Sequence, residues 1–514
     1  MKAKATGSLT LDKYLKVAAA RYGDREAIYC SMTDRRFTFR QIYERTNGLA
    51  NGLLSLGVKK GDVCAFLCYN RVEIIETYFA LAQIGVLGVP LNYRLSPAEM
   101  VELMDYCKAK YIIFDPGFTE IVSGIKKDLS DIKQFICIGS DVPDFATSYD
   151  ELVEKSSKED TTIEVSEEDY QYFNLTSGTT GLPKAYLLTH YNNASAGSIM
   201  AYAHDVTEND VILTVFPIFG RVGFAWSAIG LFTGARNVIH QFGLPQMLEL
   251  IQQEKVTISN WVPTIANFVL MLPDLDKYDF SSLRGLVFAA SPFPTSLQKQ
   301  VKERICPNIY EYYGLQESGI LTQMKPKDKE RKPESVGTLY FNADVRIVDE
   351  NGDDVPQGEI GEIIGRGPAV TTGYYMNEEK TKEAFRDGWF HTGDLGRFDE
   401  DGFLFLVGRK KDMIISGGQN VFAVEVEDLL MNHVAVMDCT VIGLPDDTWG
   451  EMVTAVIVKN PQKEATEEEI IEFCRERIAH FKAPKRVIFT DNIPRTPTGK
   501  VTKYVLVEKY SGEA

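Results

Sequence analysis

From residue 37 to about residue 320 the chain alternates between two hydrophobic periods, and that alternation restricts the folds open to it. Phe37-Thr38-Phe39 predicts a short strand, and Gln41 to Leu56 predicts a helix from apolar positions spaced for one helical face. Val63 to Leu67 then reads as a buried strand and Val72 to Ile84 as a helix. Gly85 and Gly88 bracket a turn into Val89-Pro90-Leu91, after which Pro97 to Cys107 reads as a helix and Tyr111 to Phe114 as a strand. Parallel strands need crossover helices, so this rhythm predicts an α/β chain of parallel or mixed sheets covered by helices. The acidic stretch from Lys155 to Asp169 separates this opening unit from the next strand, Tyr172 to Leu175.

After residue 330 the pattern changes. Val336 to Asp349 and Gly358 to Gly365 predict antiparallel strands joined through Asn351-Gly352, a dipeptide suited to tight hairpin turns. Gly396 to Val407 predicts a second strand–turn–strand, turning at Asp399 to Gly402. Together they predict a small β-barrel-like part. The charged junction Gly408-Arg409-Lys410-Lys411-Asp412 precedes a final α/β stretch, so two domains are expected, 1–410 and 411–514.

Composition excludes some partners. With 72 acidic against 55 basic residues, the net charge is −17, which disfavours nucleic acid and anionic membranes. Asp12 to Tyr22 predicts an amphipathic helix where a signal peptide would have its apolar core. Val222 to Ala235 is apolar but too short to cross a bilayer, and reads as a buried helix. Eight scattered cysteines without a paired C-x-x-C predict reduced core residues in a cytoplasmic protein. The six histidines make no metal motif, and the sequence leaves a homo-oligomer open.

Five segments carry chemistry. Residues 175–190, LTSGTTGLPKAYLLTH, place small hydroxyl residues and glycines so that several backbone N–H groups can converge on one anion. Lys184 falls where the lysine of a P-loop would, but Pro183 and Ala185 replace that loop's second glycine and its hydroxyl. The phosphate loop is therefore of another design, and the plain alternative is a surface turn. In Tyr312-Tyr313-Gly314-Leu315-Gln316-Glu317-Ser318 an aromatic beside glycine can face a purine, and the carboxylate can hold magnesium; packing alone would also explain the aromatic–Gly pair. Asp394, after His391-Thr392-Gly393, can accept from vicinal ribose hydroxyls, and Arg409 can donate to ribose or phosphate. Lys500, in Pro494-Arg495-Thr496-Pro497-Thr498-Gly499-Lys500, would ordinarily be a solvated charge.

In this order and spacing, the five segments resemble the AMP-forming acyl-CoA synthetase and adenylate-forming superfamily, which includes fatty-acid and aryl-acid CoA ligases. The resemblance runs from Phe37-Thr38-Phe39 through Lys500, with Leu81 to Pro90 and Val262-Pro263-Thr264 as connecting segments. It implies two half-reactions, in which a carboxylic acid and ATP first give acyl-adenylate and pyrophosphate, and the thiol of coenzyme A then displaces AMP. It also implies roles. Thr176, Ser177, Gly178, Thr179, Thr180, Gly181 and Lys184 would cradle the β- and γ-phosphates, and Tyr313 would stack on adenine. Glu317 would bind Mg²⁺, Gln316 would donate to the α-phosphate, and Asp394 and Arg409 would hold the ribose. Lys500 would bridge the carboxylate and α-phosphate, Lys411 would be the hinge of a mobile C-terminal domain, and Gly417 and Gly418 would line the thiol channel.

The chain departs from the pattern at several places. Ala185 stands at a usual glycine, where a positive φ would cost about 1 kcal/mol. Gln316 replaces a threonine, Gly220 a histidine beside the acyl carboxylate, Ala289-Ala290 a glycine pair, and Ala423 a proline. The expected acyl pocket draws on Phe224-Ala225-Trp226, Trp261-Val262-Pro263 and Phe288-Ala289-Ala290, which suits a hydrophobic fatty, cyclic or aryl acid. Arg221 at its edge would receive a second carboxylate or polar tail, or else face solvent or pair with an acid. The short tail after Lys500 favours free coenzyme A as acceptor. A carrier-protein thiol, an amine or oxygen as acceptor, and a nucleotide-binding sensor without turnover, are the alternatives.

Overall fold

The computed structural model describes residues 9–176, 184–461, 463–495 and 501–511. Two large sheets dominate the first two-thirds of the chain. In the seven-stranded sheet, strands Thr147–Ser148, Gln134–Cys137, Tyr111–Phe114, Val63–Leu67, Leu87–Pro90 and Tyr170–Thr176 run parallel, and Lys184–Thr189 closes the edge antiparallel. The nine-stranded sheet has a parallel centre from Glu26–Cys30 to Ile309–Leu315 and antiparallel strands at both margins. The βαβ rhythm of the sequence is thus the rhythm of the fold.

Helices fill the space between the sheets. Val72–Gln83 is buried along its whole length, which explains its lack of a polar face. Tyr78 on that helix stacks at 4.1 Å on Phe224 of helix Arg221–Thr233, and Phe224 meets Tyr172 of the seven-stranded sheet at 5.5 Å. The two acids of the buried helix are paired. Glu73 takes Arg71 at 2.6 Å and Arg35 at 3.0 Å, and Glu76 takes Arg45 at 2.5 Å and the Tyr149 hydroxyl at 2.8 Å. Leaving either acid unpaired there would be strongly destabilising. All eight cysteines are buried and unbonded.

Beyond residue 340 lies a five-stranded antiparallel sheet of Asp344–Val348, Gly361–Arg366, Phe385–Arg386, Trp389–Phe398 and Leu404–Arg409. The sequence reading of one strand from Val336 to Asp349 is corrected here. Thr338–Leu339 pairs with the nine-stranded sheet and Asp344–Val348 with the smaller one. The break follows from a turn at Tyr340–Ala343, whose backbone groups bond at 3.0 Å. A further sheet, beginning at Met413–Ser416 and Gln419–Phe422, contains no strand from before residue 413. No helix among the described residues is long and apolar enough to cross a membrane.

Helix His190–Ala203 follows the edge hairpin directly and opens with a capping box between Thr189 and Asn192. The Asn192 amide also donates to the carbonyls of Pro368 at 2.8 Å and Val370 at 3.0 Å. Asn192→Ala removes the reciprocal cap and orphans two carbonyls, so it should lower stability by about 2 kcal/mol or more. A fall in the urea midpoint measures this; an unchanged midpoint would mean that the cap and its tie to 368–370 contribute nothing.

Candidate active site

Strand Ile309–Leu315 turns sharply into Gly319–Met324, and the turn carries Gln316, Glu317 and Ser318. Gly314 is required by close approach, because a Cβ there would lie 1.8 Å from the Gly319 carbonyl oxygen. Ser318 Oγ accepts from the Leu315 amide at 2.9 Å and pins the turn from within. The motif's glycine and serine are therefore turn-makers, and they leave Tyr313 and Glu317 placed at the end of a central sheet.

Tyr313 is buried, and its hydroxyl donates to Asp394 Oδ2 at 2.8 Å. Burial, followed by the Asp394 charge, pushes that hydroxyl well above its ordinary titration range, so it remains a donor. Asp394 lies on strand Trp389–Phe398 directly opposite Arg409 of Leu404–Arg409, with Arg409 Nε 3.0 Å from Asp394 Oδ1. Arg409 is more exposed, at 39% of its side chain, against 11% for Asp394. Tyr313, Asp394 and Arg409 therefore form one continuous chain from the core to solvent.

Glu317 is held on one side only. Tyr374 donates to its Oε1 at 2.9 Å, while among the described residues nothing donates to Oε2. Its own carbonyl accepts from the Thr371 amide at 2.8 Å. Gln316 is fixed through its backbone, whose carbonyl accepts from Tyr186 at 2.7 Å and from Arg221; its side-chain oxygen lies 3.3 Å from the same Tyr186 hydroxyl. No group of three or more metal-ligating side chains occurs among the described residues. One anchored carboxylate with an open oxygen nevertheless fits Mg²⁺, which typically uses one or two carboxylates and fills its shell with phosphate and water. Tyr374 and Tyr186 escaped the sequence reading, since nothing local marks a tyrosine as the partner of a turn 57 or 130 residues away.

The segment expected to hold phosphate lies between two paired strands. Strands Tyr170–Thr176 and Lys184–Thr189 are antiparallel, with Thr176 opposite Lys184. A strand follows this loop where a helix follows a P-loop, in keeping with the different glycine spacing. Ser177, Gly178, Thr179, Thr180 and Gly181 lie outside the described residues, as does Lys500. Lys411 is exposed on a short turn, Lys410–Asp412, between the last strand of one sheet and the first of the next. Gly417 and Gly418, at φ of 60° and 75°, make the two-residue turn of the following hairpin.

Most of the expected acyl-side residues are buried. Trp261 is fully buried within the sheet core, its indole N–H donating to Ser259 at 3.2 Å, and Trp226 and Phe224 are likewise buried in the core. Arg221 faces neither solvent nor, among the described residues, an acid. It is 5% exposed, and its two terminal nitrogens donate to the carbonyls of Gln316 and Ala369. Gly220 remains partly exposed at the N-cap of helix Arg221–Thr233, where an added Cβ would meet only Pro217 O at 3.5 Å. Ala289 is buried, whereas Ala290 is exposed with φ of 75°. The backbone strain anticipated at Ala185 is absent, because Ala185 sits in a regular strand opposite Leu175. Ala290 carries it instead.

Residues 15–375 match the family described as AMP-binding enzyme, and residues 425–500 match AMP-binding enzyme C-terminal domain. The chain is 33% identical over 486 residues to a long-chain-fatty-acid–CoA ligase, FadD13, of Mycobacterium tuberculosis, covering 93% of this chain and 94% of that protein. It superposes on the anthranilate CoA ligase AuaEII in complex with anthranoyl-AMP with a TM-score of 0.92 at 28% identity, covering 100% of both chains. It also superposes on ATP-bound MatB from Rhodopseudomonas palustris with a TM-score of 0.88 at 29% identity, covering 97% of this chain and 99% of that one.

An alanine at φ of 75° is strained by its Cβ. Ala290→Gly should therefore raise stability by about 1 kcal/mol, the relief of the left-handed conformation less the entropy of the freer unfolded chain. A lowered urea midpoint for this variant would contradict that account.

Proposed function

The chain belongs to the AMP-binding enzyme family, and we propose that it is an acid–CoA ligase that activates a hydrophobic carboxylic acid, fatty, cyclic or aryl, at the expense of ATP. The observation that carries this reading is the unbroken chain Tyr313–Asp394–Arg409 beside a Glu317 carboxylate whose Oε2 has no donor among the described residues. The first half-reaction forms a bond from a carboxylate oxygen to the α-phosphorus and breaks the bond to the bridging oxygen of pyrophosphate. In the second, the coenzyme A thiol sulfur bonds to the acyl carbon, its proton is lost, and AMP departs.

The barrier is an anion approaching a polyanion, so alignment and charge neutralisation do the work. In this reading Tyr313 meets the adenine, while Asp394 accepts from the ribose hydroxyls and Arg409 donates beside them. Thr176, Ser177, Gly178, Thr179, Thr180, Gly181 and Lys184 hold the outer phosphates. Glu317 and Gln316 face the inner ones, Glu317 through Mg²⁺, which supplies positive charge to the phosphate oxygens when bound. Lys500 offsets the charge at the α-phosphate. Gly220 and Ala290, the acyl-side residues that keep exposure, border the acid.

The domain boundary is proposed at Lys411 because the sheet partners change between Arg409 and Met413. A pivot there lets the C-terminal domain present Lys500 for adenylation and the Gly417–Gly418 turn for thiol attack. Lys500→Ala should then abolish acyl-adenylate formation, costing roughly 3 kcal/mol or more in that barrier, yet still convert supplied acyl-adenylate and coenzyme A to thioester. Lys411→Pro fixes φ and should do the reverse. Equal loss of both halves in a folded Lys500→Ala protein would contradict the pivot, and ADP in place of AMP as product would contradict the ligase reading. Gly220→His, for which the backbone has room, should shift preference toward smaller acids; an unchanged ranking by kcat/KM would remove position 220 from the pocket.

A further inference from the structure

Arg221 has an unusual environment for a charged residue. It opens helix Arg221–Thr233, is 5% exposed, and makes no ion pair among the described residues. Its Nη1 donates to the Gln316 carbonyl and its Nη2 to the Ala369 carbonyl at 2.5 Å. Both acceptors are neutral, so among the described residues no carboxylate pairs directly with this buried guanidinium. Such burial is ordinarily unfavourable unless the charge has a counter-ion or a task.

The acceptors indicate the task. Gln316 leads into Glu317, and Ala369 belongs to the irregular segment whose Thr371 amide binds the Glu317 carbonyl at 2.8 Å and whose Tyr374 holds the Glu317 carboxylate at 2.9 Å. One planar, two-pronged group thus joins the turn bearing the metal-facing carboxylate to the strap supporting it. Lysine, with a single nitrogen, cannot span two carbonyls with the same geometry. The charge also reaches the neighbouring phenols. Burial pushes the hydroxyls of Tyr172 and Tyr186 up, and Arg221 partly opposes that shift.

We propose that Arg221 is a positioning residue for adenylation: it clamps the Gln316–Glu317 turn to the Ala369 strap and sets a fixed positive charge behind that turn, so that Glu317 meets the cation accompanying ATP without reorganising. This inference rests on the ligase reading and assigns Arg221 a role in place of a contact with the acid.

The test compares Arg221→Met and Arg221→Lys with wild type by pyrophosphate exchange, titrating Mg²⁺ at fixed ATP and separately titrating the acid. Amide hydrogen exchange of peptides spanning 316–319 and 368–371 is followed without ligands. Arg221→Met should raise the Mg²⁺ requirement and lower kcat, each about tenfold, as losses of supporting contacts around a metal ligand do, with the KM for the acid and the ranking of acids unchanged. Both peptides should exchange faster, and Arg221→Lys should fall between the two. A changed ranking of acids overturns the proposal in favour of direct substrate contact. Loosened peptides with unaltered Mg²⁺ dependence overturn it in favour of a purely structural tie, and unaltered peptides remove the clamp itself. If Arg221→Met does not fold, Arg221→Lys decides by the same readouts. Failure of wild type to exchange pyrophosphate with any acid overturns the ligase reading and the adenylation role together, while the peptides still report separately on the clamp.

Discussion

The segment from Pro368 to Tyr375 has no helix and only an isolated bridge from Tyr374 to Tyr186, so its backbone groups must find partners in other elements. They do so across the whole first unit. Asn192 binds the carbonyls of Pro368 and Val370, and Arg221 binds that of Ala369. The Tyr375 amide binds the Ala185 carbonyl at 2.8 Å, and Tyr106 donates to the Tyr375 carbonyl at 2.5 Å. Thr371 donates through its amide to Glu317 and through its hydroxyl to the Leu187 carbonyl at 2.5 Å. Removing this strap would leave buried polar groups unsatisfied on both large sheets at once.

The same bonds fix the site. Glu317 comes from the nine-stranded sheet and Lys184 from the edge of the seven-stranded one, and sheets that met only through apolar packing could slide. Hydrogen bonds do not tolerate such sliding, because they weaken steeply with distance and angle. Tyr186, which leaves the edge strand to meet Gln316 at 2.7 Å, closes the remaining side. The Tyr313–Asp394 bond extends the frame to the small antiparallel sheet. Arg409 is the last residue of that sheet, two positions before Lys411.

These ties also explain what the sequence disclosed. The βαβ units were legible because a buried helix such as Val72–Gln83 and a buried strand such as Val63–Leu67 each show their period within a few residues. The turn carrying Gln316 and Glu317 was marked in the sequence by Gly314, whose close approach to Gly319 requires glycine, whereas the pairing of Asp394 with Arg409 depends on strand register. The partners were not. Tyr374, Tyr186 and Asn192 act through isolated long-range bonds, which leave no periodicity to read. Arg221 was misplaced because a cation after Phe219-Gly220 resembles a pocket rim, and only the fold reveals two carbonyls waiting for it. Trp261 could not be read either way, because an aromatic suits a core and a pocket equally, and it is buried in the sheet core. The exchange of strain between Ala185 and Ala290 has the same origin, since φ at an alanine follows from tertiary context.

Charge gives these positions a common logic. Among the described residues, the proposed nucleotide site brings together Glu317 and Asp394 with Arg221 and Arg409, so their formal charges balance. In a chain of net charge −17, such a site offers a bare polyphosphate no net attraction. Asp394 already holds Arg409, and Glu317 presents an open oxygen, so the acids would repel phosphate unless a cation came between. On the proposed reading, positive charge must therefore arrive with the nucleotide or on the lysines at 184 and 500. A site so balanced discriminates by how completely the incoming charges are assembled; the strap holds Glu317 in place, and Tyr313 and Arg409 hold Asp394.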